Sequence, residues 1–177
     1  MLSHQIETAR CHLHPLTVSE ADALHALWTH PRVRRYLWDD VVIPKAETVR
    51  LLRQSTRLFD TDGFGLWGVR FHDDATLIGF AGYWYFRDPP ERELLIGMAP
   101  AHWGRGLATE IGAALIRFAF EALGFRAVHA STDTPHAASV RVMEKLGMAF
   151  DRRAVLDGLD TVFYTLSRRQ WRAAHPH

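Results

Sequence analysis

The chain has a single cysteine in 177 residues, Cys11. An internal disulfide is therefore excluded, and Cys11 reads as a small buried strand residue. Net charge is nearly absent as well, since 21 Lys and Arg against 20 Asp and Glu give +1 at pH 7. That balance supplies no overall field to gather nucleic acid or an anionic membrane. The local arginine groups (Arg32, Arg34 and Arg35, then Arg168 and Arg169) read as solvated faces. No apolar run is long enough to span a bilayer. Near the start, Glu7, Arg10 and several histidines interrupt any apolar core of the kind a secretory leader needs. The expectation is a cytoplasmic protein with neither nucleic acid nor membrane as partner. Eleven histidines are present, but without the close spacing of a metal site, so no metal is expected. Repeats and low-complexity linkers are missing. What remains is an ordinary globular composition, 47% apolar and 23% charged, which predicts one domain over residues 1–177.

Period and punctuation divide the chain. Residues 8–13 alternate weakly and predict a first strand. Ser19 with Asp22 predicts the cap of a helix through ADALHALWTH that stops at Pro31. A second helix is expected from about Pro44 through ETVRLLRQSTRLF, broken by TDG at 61–63. GLWGVRF and TLIGFAGYWYF, either side of HDDA, predict a hairpin. RELLIGMA, after the turn DPPE, predicts a further strand. A helix from about Leu107 to Leu123 capped by Gly124, the strand FRAVHAST, and a helix opened by Thr134 and Pro135 and ending at Gly147 follow. MAFDRRAV and DTVFYTLS, joined by LDGL, predict a closing hairpin. The order β, α, α, β, β, β, α, β, α, β, β is an α+β class, with helices on the faces of a central sheet.

The most informative stretch is HWGRGLAT at 102–109. Strand, glycine loop and helix is the arrangement in which the N–H groups of a helix start converge on an anion. Two glycines alone also suit a plain connecting turn. The nucleotide P-loop is excluded because no Gly-Lys-Ser/Thr follows. The dinucleotide fingerprint fails because Thr109 stands where its third glycine belongs. Gly97, inside the preceding strand, marks a bulge or a close backbone approach. A bulge there would splay this strand from FRAVHAST and expose strand edges to an extended ligand. A ligand with a pyrophosphate at one end and an amide-bearing arm is implied, and coenzyme A fits.

Taken in order, TARCHLHPLTVSEADALHALWTHPRVRRYL, GLWGVRF with TLIGFAGYWYF, ELLIGMAPAHWGRGLATE, and ASVRVMEKLGM with FYTLSRRQW resemble the GNAT N-acetyltransferase superfamily. The likeness is to the branch holding the ribosomal-protein alanine N-acetyltransferases and covers nearly the whole chain. It implies a GNAT-like fold, a mixed, mostly antiparallel sheet of about seven strands with about four helices. It implies acetyl-CoA as co-substrate and a primary amine as acceptor, either a protein N-terminus or a small molecule. A homodimer is compatible with it.

By the same resemblance Trp103, Gly104, Arg105, Gly106, Leu107 and Ala108 fill the pyrophosphate motif, with Thr109 next to it. Tryptophan stands in place of the usual glutamine or arginine at its first position. Met98 would offer its N–H to the thioester oxygen. Glu93 matches the acidic position that takes the amine's proton, and Glu91 is its neighbouring competitor. Many relatives place an acid tyrosine where this chain has Met143. Ser139, one turn earlier, matches a serine kept near the coenzyme and could protonate the leaving thiolate. His136 stands where asparagine is usual and would contact the coenzyme. Trp38, beside Asp39 and Asp40, falls in the acceptor wall, and Tyr83 and Tyr85 of YWYF are the further aromatics expected there. The alternative function is a non-catalytic acyl-CoA-binding or regulatory domain.

Overall fold

The computed structural model describes residues 4–86 and 91–176. The turn expected at DPPE falls largely outside them. One sheet of eight strands runs through the molecule in the order β1-β2-β3-β4-β5-β6-β8-β7. Its strands are β1 Ile6–Glu7, β2 Cys11–Pro15, β3 Leu66–Phe71, β4 Gly79–Tyr85, β5 Arg92–Met98, β6 Ala127–Asp133, β7 Ala149–Leu156 and β8 Leu159–Ser167. Every neighbouring pair is antiparallel except β5 and β6. Parallel neighbours need a crossover, and helix α4, Leu107–Glu121, supplies it.

Two apolar clusters hold the layers. On one face Trp67, Val69 and Tyr83 meet Ile111, Leu115 and Ala119 of α4. On the other, Leu66, Phe80 and Trp84 meet helices α1 Ala21–Thr29, α2 Pro31–Leu37 and α3 Lys45–Asp62. Helix α5, Ala137–Lys145, follows β6, and α6, Arg168–Ala174, closes the chain. Cys11 is fully buried in β2, and that burial pushes its thiol pKa up, so it supplies no nucleophile. Among the described residues no helix is long and apolar enough to cross a membrane.

Several expectations need correction. The first strand is two short strands around the turn at 8–10. Pro31 does not end the helical region but starts α2 in its first turn, where a missing N–H costs nothing. The cap expected from Ser19 and Asp22 is instead a box between Thr17 and Glu20. Helix α6 was not expected, yet Ser167 and Gln170 form a reciprocal capping box at its start. The break lies where the sequence places it: Gly63 ends α3 in the left-handed region at φ 77°.

Candidate active site at the parting of two strands

The glycine loop lies between a short 3₁₀ turn at Pro100–His102 and α4. Gly104 and Gly106 both sit in the left-handed region, at φ 71° and 75°. A Cβ at Gly104 would meet nothing within 4 Å, so the loop's outer surface is bare. The first helical bond runs from Glu110 N–H to the Gly106 carbonyl at 3.1 Å. The N–H groups of Leu107, Ala108 and Thr109 precede it, and none has an intrahelical acceptor. With the helix dipole behind them, they form a site suited to an anion.

Three side chains fix this loop. The Trp103 indole N–H donates to the Met98 carbonyl at 2.7 Å, tying the loop to the end of β5. Arg32 of α2 lies over the Trp103 ring, 4.5 Å from its centroid. Arg10, in the turn between β1 and β2, donates to the Arg105 carbonyl at 2.9 Å and grips the Glu110 carboxylate through Nε at 2.7 Å and backbone N–H at 2.9 Å. Burial pushes Glu110 up, but its bonds to Thr8 and Arg10 outweigh that and hold its pKa low. Arg10 had not been singled out from sequence, because nothing local links it to residues 105 and 110. The Arg105 side chain donates to His102 Nδ1 at 3.1 Å.

At the end of β5 away from the loop, β5 and β6 register at one pair only, Glu93 with His129. Beyond it the strands part, which is the splay expected from Gly97. Its expected cause is corrected: β4 and β5 pair continuously from Gly79–Met98 to Tyr85–Arg92 without a register shift. Gly97 is glycine because a Cβ there would overlap the Phe80 ring. Ala99 N–H donates to the Ile78 carbonyl at 2.8 Å, so alternation turns the N–H groups of Met98 and Ile96 away from β4, toward the gap.

Glu93 lies where the strands part and is only 2% exposed. Its Oε2 accepts the Ser131 hydroxyl at 2.5 Å. Glu91 differs: its side chain is 45% exposed and lies 3.9 Å from His129 Nε2, at the rim. Ser139 is half-buried on the first turn of α5, its N–H bonded to the His136 carbonyl at 3.0 Å. Met143 is buried one turn on.

His136 stacks flat on Tyr36 of α2, with centroids 4.1 Å apart at 8°, and its Nδ1 meets Thr132 Oγ1 at 3.2 Å. Burial pushes its pKa below the usual histidine value, which is about 6.5. The unfolded chain therefore takes up the proton first as pH falls through about 6.5, and stability drops from there until the folded pKa is passed. His136→Asn is expected to flatten that part of the melting temperature's pH profile. Identical acid profiles in the two proteins would contradict it.

The expected acceptor aromatics separate. Trp38 packs edge-on against Trp28 at 5.4 Å, and Trp28 against Phe80 at 5.7 Å. This places Trp38 on the sheet face that α1, α2 and α3 cover. Asp40 is held by Arg34 Nε at 2.9 Å. Asp133, at the end of β6, is raised first by burial and then by the charge of Asp39, which must therefore lie nearby. Tyr83 is fully buried and donates to the Leu115 carbonyl at 3.0 Å, on the α4 face, so it lines no acceptor surface. Tyr85 donates to Asp62 Oδ2 at 2.8 Å, beside the end of α3. Trp84, which the sequence does not single out, is the aromatic that registers with Glu93. Among the described residues, no group of three or more His, Cys, Asp or Glu could hold a metal ion. A cavity of about 530 Å³ between the end of α4 and α6 is lined by none of these residues.

The chain is similar to an uncharacterized N-acetyltransferase of Bacillus subtilis, YoaA, at 27% identity over 152 residues, covering 85% of each. An acetyltransferase of Agrobacterium tumefaciens shares its fold with a TM-score of 0.82 at 22% identity, over 95% of this chain and 96% of that one. RimL, a ribosomal L7/L12 alpha-N-protein acetyltransferase solved with coenzyme A, gives 0.79 at 15% identity over 94% and 99%. The family described as the acetyltransferase (GNAT) domain matches residues 10–149, from the arginine that grips the loop to the start of β7. A match of that extent makes the chain a member of the GNAT acetyltransferases.

Proposed function

We propose that this acetyltransferase moves the acetyl group of acetyl-CoA to a primary amine by direct attack on the thioester. The observation that carries the reading is the carboxylate of Glu93, buried where β5 and β6 part, at the start of the strand whose far end leads into the glycine loop. The loop's N–H groups from 104 to 109 hold the pyrophosphate, and the gap between the strands takes the pantetheine arm as an added strand. The donor fits this frame, because the glycines leave the loop surface bare and β5 offers backbone groups that β6 does not use.

An ammonium has no lone pair, so the acceptor must lose a proton to react. Glu93 takes it, directly or through a water. The amine nitrogen bonds to the carbonyl carbon, charge on the oxygen is stabilised by a backbone N–H of β5 that faces the gap, and the carbon–sulfur bond breaks. The thiolate, with an ordinary thiol pKa of about 8.5, is protonated by Ser139 or by solvent. No covalent enzyme intermediate is needed.

The acceptor is a protein N-terminus or a small-molecule amine. It enters over the face carrying Trp38 and Asp39, where an acidic group suits a cation. The reading suits a cytoplasmic enzyme and calls for no metal, nucleic acid or membrane. A thiol-release assay with acetyl-CoA against small amines and peptides with free N-termini tests it. Amine-dependent release is expected, and none from either group would sink the proposal.

A further inference from the structure

We infer that Ser131 is a positioning residue for Glu93, fixing the carboxylate's plane and favouring its ionised form. The inference rests on Glu93 being the base. A carboxylate that is 2% exposed must be met by donors, because burying an unpaired charge is costly. Ser131 supplies one of them at 2.5 Å, within the range of a charge-assisted bond.

The topology makes this contact specific. Glu93 and His129 are the single registered pair between β5 and β6. Side chains alternate along a strand, so Ser131, two residues on, points to the same face as His129 and Glu93. It is thus the first side chain of that face beyond the bridge, where the strands have begun to part. Its other neighbour, β8, pairs it with Phe163, whose ring carries the Arg152 guanidinium at 4.0 Å. An apolar residue at 131 would remove a donor from the carboxylate.

Other titratable groups near it are Glu91 just before β5, His129 and Asp133 on β6, Asp39 after α2, His136 before α5 and Arg152 on β7. A hydroxyl donating to a carboxylate favours its charged form. Ser131→Ala should therefore raise the pH at which Glu93 titrates, and Ser131→Thr should restore it.

The test follows the side-chain carboxyl carbons of ¹³C-glutamate-labelled protein through a pH titration, with Glu93→Gln assigning the Glu93 signal. In Ser131→Ala that titration should move up by about one unit, the worth of a hydrogen bond to a charged group. The acid limb of kcat should move with it, measured with acetyl-CoA and whichever amine the thiol-release screen turns over, while the KM for acetyl-CoA stays unchanged. Coincident titrations in wild type and Ser131→Ala overturn the inference. If Ser131→Ala does not fold, Ser131→Cys keeps the size but weakens the donor, and the same comparison decides. Wild-type turnover by Glu93→Gln would instead overturn the base itself, whatever the titration shows.

Discussion

Glu93→Gln should lower kcat by about 10²–10⁴-fold, the usual worth of a positioned proton acceptor, with the affinity for acetyl-CoA unchanged. Glutamine keeps the shape and can still accept the Ser131 hydroxyl, so the buried site is not emptied. It cannot take a proton from the amine. Raising the pH should recover part of the loss, because a larger share of the acceptor is then neutral without help. Glu91→Gln is the matched control: half-exposed at the rim, it should leave turnover within a few-fold of wild type, since a surface substitution rarely shifts energies by more than about 0.5 kcal/mol. Equal loss in both variants would remove the distinction between the two glutamates.

Gly106→Val should weaken coenzyme A binding by at least about tenfold. At φ 75° a side chain costs about 1–2 kcal/mol, and more when branched at Cβ. About 1.4 kcal/mol is already a factor of ten. Space is not the obstacle, since the nearest atom to a Cβ there is the Arg10 guanidinium at 3.7 Å. The strain falls at the N-cap of α4, where relaxing φ would turn the first-turn N–H groups off their common target. Calorimetry with coenzyme A reads the change, and a melting curve separates it from unfolding. Wild-type affinity would place the pyrophosphate elsewhere.

What could be read from sequence was what is local. The glycine loop, the end of α3 at Gly63 and the closing hairpin each depend on a few consecutive residues with one conformational need. What could not be read depended on register and distance. Gly97 promised a separation of strands, but the ring that forbids its Cβ belongs to Phe80, on the neighbouring strand. YWYF announces alternation without saying which side faces α4: that side takes Tyr83, and Trp84 registers with Glu93 on the other. Arg10 reaches residues 95 and 100 positions away, and Ser131 meets Glu93 across 38. No sequence window contains such pairs. Helix α6 is different, since its Ser167 and Gln170 box was local and could have been found.

The single bridge between β5 and β6 has a consequence for the resting protein. A continuously paired open run of eight strands would have two unsatisfied borders, one along β1 and one along β7. This sheet has four, because beyond Glu93 and His129 the inner flanks of β5 and β6 also face each other without pairing. Such borders ordinarily invite a foreign strand, and proteins blunt them. Here the two inner borders face each other inside the sheet, so an added strand would have to come between two neighbours of the same chain rather than along an outer edge.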